Sequence, residues 1–254
     1  MIMAFSSLGV QRQAPDRRGF DGQLDLVSDA HYTTPLYSGA EAARIIAVPR
    51  GTLRNWAVGY ALKRLDGANV PVGPLVTTNE PATPRGPTIP FVGLAEAFIL
   101  AAFRETGVPM QRIRPAIRRL QEDIGLRQSL ASERLKTDGA ELLWDYARST
   151  HDTDTVGGLV VIRNGQQVFR PVVEGYLRRV TYDNGWARVI NIGQGKVDVT
   201  VDPWINGGKP TLARRGIAVR DILSRLRAGE PESTVAADYG LRVGEVTALL
   251  ELAA

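Results

Sequence analysis

Hydrophobic and polar positions fall into helical register from Tyr37 onward. Ser38 followed three residues later by Glu41 forms a capping box, and Ala42, Ala43, Ile45 and Ile46 then build one apolar face. Val48-Pro49-Arg50-Gly51 interrupts the pattern, and Thr52, Leu53 and Trp56 open a second short helix. Two helices across a tight turn, with Ala43, Ala47 and Leu53 at the small, turn and aliphatic positions, predict a helix-turn-helix. The Pro- and Gly-rich stretch from Asp66 to Pro90 predicts loop and strand, with Val70, Val72, Leu75 and Val76 in a short strand pair. Helical spacing returns at Leu94, Phe98, Ile99, Ala102 and Phe103, stops at Gly107, and resumes after Val108-Pro109 at Ile113, Ile117, Leu120 and Ile124. A further helix is expected around Gly139 to Arg148, carrying Leu142, Leu143, Trp144 and Tyr146.

The period then changes. Leu159-Val160-Val161-Ile162 reads as a buried strand, and Val168-Phe169 follows it across Asn164-Gly165, a dipeptide suited to a hairpin corner. Tyr176 to Val180, Ala187 to Ile192 and Val197 to Val201 are candidate strands, with Asn184-Gly185 and Gly193-Gln194-Gly195 as turns. After Asp202-Pro203 three helices are predicted, Val219 to Leu226, Glu232 to Tyr239 and Val243 to Leu252. Ala236, Gly240 and Val246 repeat the small, turn and aliphatic positions of the first unit. Met1 to Thr34 has neither period and reads as a flexible tail. The expected fold is mainly α with a small β segment. It comprises a tail (1–34), a winged helix-turn-helix with helical extension (35–150), a β-rich connector (151–201) and a C-terminal three-helix, helix-turn-helix-like domain (202–254).

Composition narrows the chemistry. Hydrophobic residues at 44% and charged residues at 23% are globular values. The absence of cysteine removes disulfides, thiolate nucleophiles and cysteine-containing zinc sites. Only His31 and His151 are present, far apart and in polar stretches, so each reads as a solvated loop histidine. No signal peptide is visible and the longest apolar run, near Phe98 to Phe103, is too short to span a bilayer, which predicts a cytoplasmic protein. Gly193-Gln194-Gly195 and Gly207-Gly208-Lys209 lack the full phosphate-loop pattern, and Pro210 follows Lys209, so both read as turns. Asp152, Asp154 and Glu174 are the best carboxylates for a metal-dependent nucleic-acid enzyme, but their spacing matches no metal motif. No catalytic residue, metal or cofactor is expected.

The net charge of +4 favours an anionic partner only mildly. The placement of the cations says more. Arg50, Arg54, Lys63 and Arg64 lie on or just after the second helix of the first unit, with no acid before Asp66. That helix would enter a major groove, with Thr52 and Asn55 on it as further contacts and Arg85 reaching from the following loop. Arg112, Arg114, Arg118 and Arg119 add a basic helix. The terminal helix differs: Glu245 and Glu251 outnumber Arg242, which disfavours DNA phosphates. Its aliphatic residues Val243, Val246, Leu249, Leu250 and Leu252 are the candidate surface for a protein partner or a second copy.

Tyr37 to Tyr60, with Ala42-Ala43-Arg44 and Pro49-Arg50-Gly51-Thr52-Leu53-Arg54-Asn55-Trp56, is similar to the MerR-type helix-turn-helix. The following order also resembles that family: a Pro-rich wing, Ala95 to Arg104, Gly107-Val108-Pro109, then Ile113-Arg114. Asp202-Pro203 through Gly208-Lys209-Pro210 to Ala254 resembles a three-helix domain of unknown function that recurs in bacterial antitoxins. The pairing in this order resembles a VapB-type antitoxin. The resemblance implies operator DNA and a VapC-type PIN-domain ribonuclease toxin as partners, and a homodimer. It departs from the family where the usual Gly-Thr-Arg-Ile-Pro-Val run stands as Arg214-Arg215-Gly216-Ile217-Ala218-Val219. A stand-alone MerR-like regulator and a metal-dependent nucleic-acid enzyme are the alternatives.

Overall fold

The structure is a computed structural model, and it describes residues 29–63, 67–124, 127–136, 171–193, 195 and 197–253. The helix expected at 139–148, the Leu159–Phe169 hairpin, His151, Asp152, Asp154, Arg64 and residues 1–28 of the tail lie outside the described residues.

Residues 29–34, within the stretch expected as tail, are structured. Asp29 accepts the His31 backbone N–H and caps α1 (Ala30–Thr33), and Tyr32 is 3% exposed, with its ring edge-on to Phe91 and Trp204. β1 (Pro35–Tyr37) follows, then α2 (Gly39–Ile45), whose N-cap Ser38 accepts the Glu41 N–H at 3.2 Å. Ala47 takes a left-handed φ of 54° at the turn, and α3 (Arg50–Ala57) packs back on α2 through Leu53 and Trp56. The expected helix-turn-helix is therefore present, with alanine where glycine would be less strained.

Past α3 the chain forms a hairpin, β2 (Tyr60–Lys63) against β3 (Asn69–Val72). Its register pairs Tyr60 with Val72 and Lys63 with Asn69. β3 falls where strand was expected, but Leu75 and Val76 are not its partner. They are buried, and their N–H groups bond the Trp56 carbonyl at 2.7 and 3.1 Å. The entry to β2 requires Gly59: at φ 82° a Cβ there would lie 2.3 Å from the Val72 carbonyl oxygen.

β4 (Ile89–Pro90) pairs antiparallel with β1 and leads into α4 (Phe91–Glu105). Every residue from Phe91 to Phe103 is buried, so α4 is the central rod of the fold and not an amphipathic surface helix. α5 (Met110–Ile124) packs Ile113, Ile117 and Leu120 inward. Residues 171–177 form a further helix, α6. This corrects the strand expected from Tyr176: the Tyr176 ring tilts against Phe98 at 4.8 Å between centroids, and its hydroxyl donates to Glu105. Packing on α4 overrides the local β-branched bias of Val172 and Val173.

A five-stranded antiparallel meander follows: β5 (Val180–Asp183), β6 (Trp186–Asn191), β7 (Val199–Val201), β8 (Thr211–Leu212) and β9 (Ile217–Ala218). Asn184 and Gly185 turn β5 into β6 with φ of 48° and 82°, as an Asn-Gly hairpin corner requires. The sheet crosses Asp202, the residue expected from sequence to open the C-terminal unit, so that unit shares its core with the strands before it. α7 (Val219–Arg227), α8 (Glu232–Tyr239) and α9 (Val243–Ala253) complete the chain. Gly240 closes α8 at φ 59°, and the Leu241 N–H bonds the Ala236 carbonyl at 2.7 Å. Helices dominate, strands are short, and one apolar cluster runs from the first helix-turn-helix to α9.

Candidate nucleic-acid interface

α3 divides cleanly. Leu53, Trp56 and Ala57 face the core at 9% exposure or less, while Arg50, Gly51, Arg54 and Asn55 are exposed and Thr52 is half-buried. Arg50 and Arg54 are four residues apart, one turn of the same solvent face. Pro49 precedes the helix and no side chain caps its first turn, which leaves those N–H groups open to phosphate oxygens. Lys63 is exposed at the outer end of β2, before residues 64–66. The β2–β3 hairpin is the wing. Arg85 is exposed too, but it sits on the loop between β3 and β4, after the wing and not within it.

The wing is held to α3 by Arg114, one of the cations that the sequence places on a basic helix. Arg114 is 5% exposed: its Nη1 donates to the Gly73 carbonyl at 2.6 Å, its Nη2 reaches the Asn55 carbonyl at 3.5 Å, and its guanidinium lies 5.3 Å from the Tyr60 ring centroid. Arg114 thus joins the end of α3, the start of β2 and the base of β3, and is unavailable to DNA. Arg118 and Arg119 do remain exposed on α5. The loop beyond the wing is fixed by Glu96, which is 2% exposed on α4 and accepts the Thr77 N–H at 2.6 Å. Burial pushes the Glu96 carboxyl from 4.5 up to about 7, against the lowering pull of that hydrogen bond.

On the C-terminal side, the candidate protein-contact residues separate by burial. Val246 and Leu249 are fully buried in the chain's own core, because α9 seals α7 and α8. Val243 is 48% exposed, and Leu250 and Leu252 are half-buried, so these three carry what outward surface the set has. The acidity expected of α9 is also reduced, since Glu245 accepts from Arg214 and Arg242. Glu174 lies 3.5 Å from Arg178. Among the described residues no group of three His, Asp or Glu side chains is placed to hold a metal ion, and no helix is long and apolar enough to cross a membrane.

The Gly207-Gly208-Lys209 turn has a role the sequence did not disclose. Gly207 and Gly208 take φ of 59° and 74°, the Gly208 carbonyl accepts the Tyr37 hydroxyl at 2.7 Å, and Lys209 Nζ donates to the Leu36 carbonyl and to Glu41. This loop clasps β1 and the start of α2. A second junction stacks His31 on Trp204 at 4.5 Å, with the Arg188 guanidinium 3.6 Å from the Trp204 ring centroid.

These features define a winged helix-turn-helix joined to a small helical C-terminal unit, and comparison with known proteins agrees. Residues 35–117 match the family described as "Putative DNA-binding HTH domain", and residues 199–253 match the family described as "Protein of unknown function (DUF433)". The chain is 41% identical over 227 residues to a Mycobacterium tuberculosis protein named "Putative antitoxin VapB45", covering 87% of this chain and 93% of that one. It is 28% identical to the uncharacterized M. tuberculosis protein Rv2308 over 227 residues, 83% of this chain and 87% of the relative. The crystal structure of Rv2018 from M. tuberculosis superposes with a TM-score of 0.67 at 35% identity, covering 86% of this chain and 99% of that one. The chain belongs to the VapB-type antitoxin family.

Proposed function

We propose that this chain is the antitoxin of a type II toxin–antitoxin pair: as a cytoplasmic homodimer it binds operator DNA and neutralises a PIN-domain ribonuclease of the VapC kind. The observation that carries the DNA half is the outward face of α3, where Arg50, Arg54 and Asn55 stand exposed over a core-anchored helix beside the wing. A reading helix of this kind places three or four side chains at base edges, while Lys63, Arg64 and Arg85 are assigned to phosphates. The toxin half is supported by kinship with the M. tuberculosis protein named an antitoxin. Operators read by such folds are two-fold symmetric, which is the reason for the dimer.

Co-expression tests the toxin half. A VapC-type PIN-domain nuclease, sought in the reading frame next to this gene, is induced in a host with and without this chain. Restored growth and a co-purifying complex are expected; arrest unaffected by the chain contradicts the proposal. The chain itself is expected to hydrolyse no RNA or DNA with Mg²⁺ or Mn²⁺. Turnover abolished by Asp152→Asn or Asp154→Asn favours the enzyme instead.

A further inference from the structure

A cleft of about 210 Å³ opens between α2 on one side and α7 and α9 on the other. Its floor is the nearly buried core surface of Ile45, Val219, Leu223 and Leu249, and the half-buried Leu252 at the edge is its most accessible aliphatic side chain. Its rim carries four cations, Arg44, Lys209, Arg220 and Arg227, against one carboxylate, Glu41. That carboxylate is already taken, since it bonds Lys209 at 2.8 Å. Arg220 meets Asp221 at 3.4 Å with both side chains more than half exposed, a pairing too solvated to hold much energy. Arg44 and Arg227 are exposed and have no acidic partner among the described residues.

Three occupants compete for such a site. Drug-sized ligands occupy pockets of roughly 300–1,000 Å³, so this one is small for a nucleotide or cofactor and suits one or two side chains. Nucleic-acid phosphates would satisfy the arginines but leave the apolar edge at Leu252 unmatched. A purely apolar segment would cover the floor and leave the cations without a counter-charge. An acidic, amphipathic peptide segment satisfies both, with one aliphatic side chain on the floor and carboxylates at the rim.

We propose that this cleft is a docking site for an acidic, amphipathic segment of the toxin, with Arg44, Arg220 and Arg227 as its charge-recognising residues. The assignment rests on the antitoxin reading. It places toxin contact at the junction of the two units, on the half-buried Leu252 of α9 as well as on α2. A segment seated there bears directly on the first helix of the DNA-binding unit.

The test uses the full-length chain and the VapC-type PIN-domain nuclease that the co-expression experiment pairs with it, with affinity measured at low and high salt. Arg220→Glu/Arg227→Glu is the principal variant; Arg44 stays unchanged, because α2 of a helix-turn-helix crosses the DNA backbone. Arg118→Glu/Arg127→Glu, an equal charge change on exposed residues outside the cleft, is the control. The expected result is toxin affinity weakened roughly tenfold or more in the cleft variant, with a flattened salt dependence, and little change in the control. Unchanged toxin affinity in the cleft variant overturns the site while leaving the antitoxin reading intact. Loss of operator binding or of the dimer, with toxin still held, assigns the cleft to DNA or to a second copy and also overturns it. A wild-type chain that fails to hold the toxin removes the antitoxin reading and the site together.

Discussion

Lys209 Nζ lies 2.8 Å from Glu41 Oε1, joining residues 168 positions apart. The same lysine donates to the Leu36 carbonyl and stands 5.2 Å from the Tyr37 ring centroid, while the Tyr37 hydroxyl donates to the Gly208 carbonyl next door. One short loop of the C-terminal unit therefore holds the strand and helix that open the helix-turn-helix. A buried Tyr hydroxyl and a carbonyl lose about 1–2 kcal/mol when one partner is removed.

Tyr37→Phe is accordingly expected to destabilise the chain by about 1–2 kcal/mol in urea denaturation, with the fold retained. Gly208→Ala is expected to be worse. Its Cβ would lie 2.3 Å from the Tyr37 hydroxyl, and its φ of 74° is strained for any L side chain. If both variants unfold with the wild-type midpoint, the clasp contributes nothing.

The wing should depend on Arg114. Replacing it with Met keeps most of the stem and deletes the donors to Gly73 and Asn55. A charge-assisted bond of this kind contributes about 1.5–3 kcal/mol. The variant should lose about that much stability, and weaken DNA binding several-fold although Arg114 itself faces inward. Arg114→Lys, which keeps the charge and loses the planar fork, should fall between. Urea midpoints and DNA titration of the three chains check the order; equal DNA affinity across them would detach the wing's position from Arg114.

Glu96 makes stability pH-dependent in an unusual direction for a carboxylate. Its folded pKa of about 7 lies above 4.5, so the folded state binds the proton more tightly than the unfolded one. Its contribution is complete below about pH 4.5 and fades as pH rises through 7, leaving a deprotonation penalty on the order of 3 kcal/mol above it. Glu96→Gln keeps an oxygen to accept the Thr77 N–H and carries no charge. It should be more stable than wild type at pH 8, with the gap closing toward pH 5. A gap independent of pH would show that Glu96 does not titrate in this range.

Much of this architecture is local, and so was legible in the chain. The α2–turn–α3 unit announces itself through Ser38, Ala47 and Leu53, and the α8–α9 pair through Gly240, because caps and turns are written in adjacent residues. β2 was not legible: Tyr60 to Lys63 is exposed or half-exposed throughout, so no alternation marks it. The strand expected over Tyr176 to Val180 begins only at Val180, because Tyr176 and Leu177 belong to a helix stabilised by α4, far away in sequence. The exposed cations of α3 followed from spacing alone. The inward turn of Arg114 did have a signal, since it sits three residues before Ile117 and beside Ile113 on the apolar face of α5. The Lys209–Glu41 contact had none, because a surface lysine and a capping-box glutamate look complete by themselves.

The face of α3 is the centre of the account, and fluorescence anisotropy on a labelled duplex from the gene's own promoter, at several salt concentrations, tests it most directly. Arg50→Ala/Arg54→Ala is expected to lose roughly 1–3 kcal/mol of binding for each base contact removed, and to flatten the salt slope for each phosphate contact removed. Both residues are exposed, so the variant should unfold at the wild-type denaturant midpoint. An affinity and salt slope equal to wild type would remove α3 from the DNA interface and contradict the assignment.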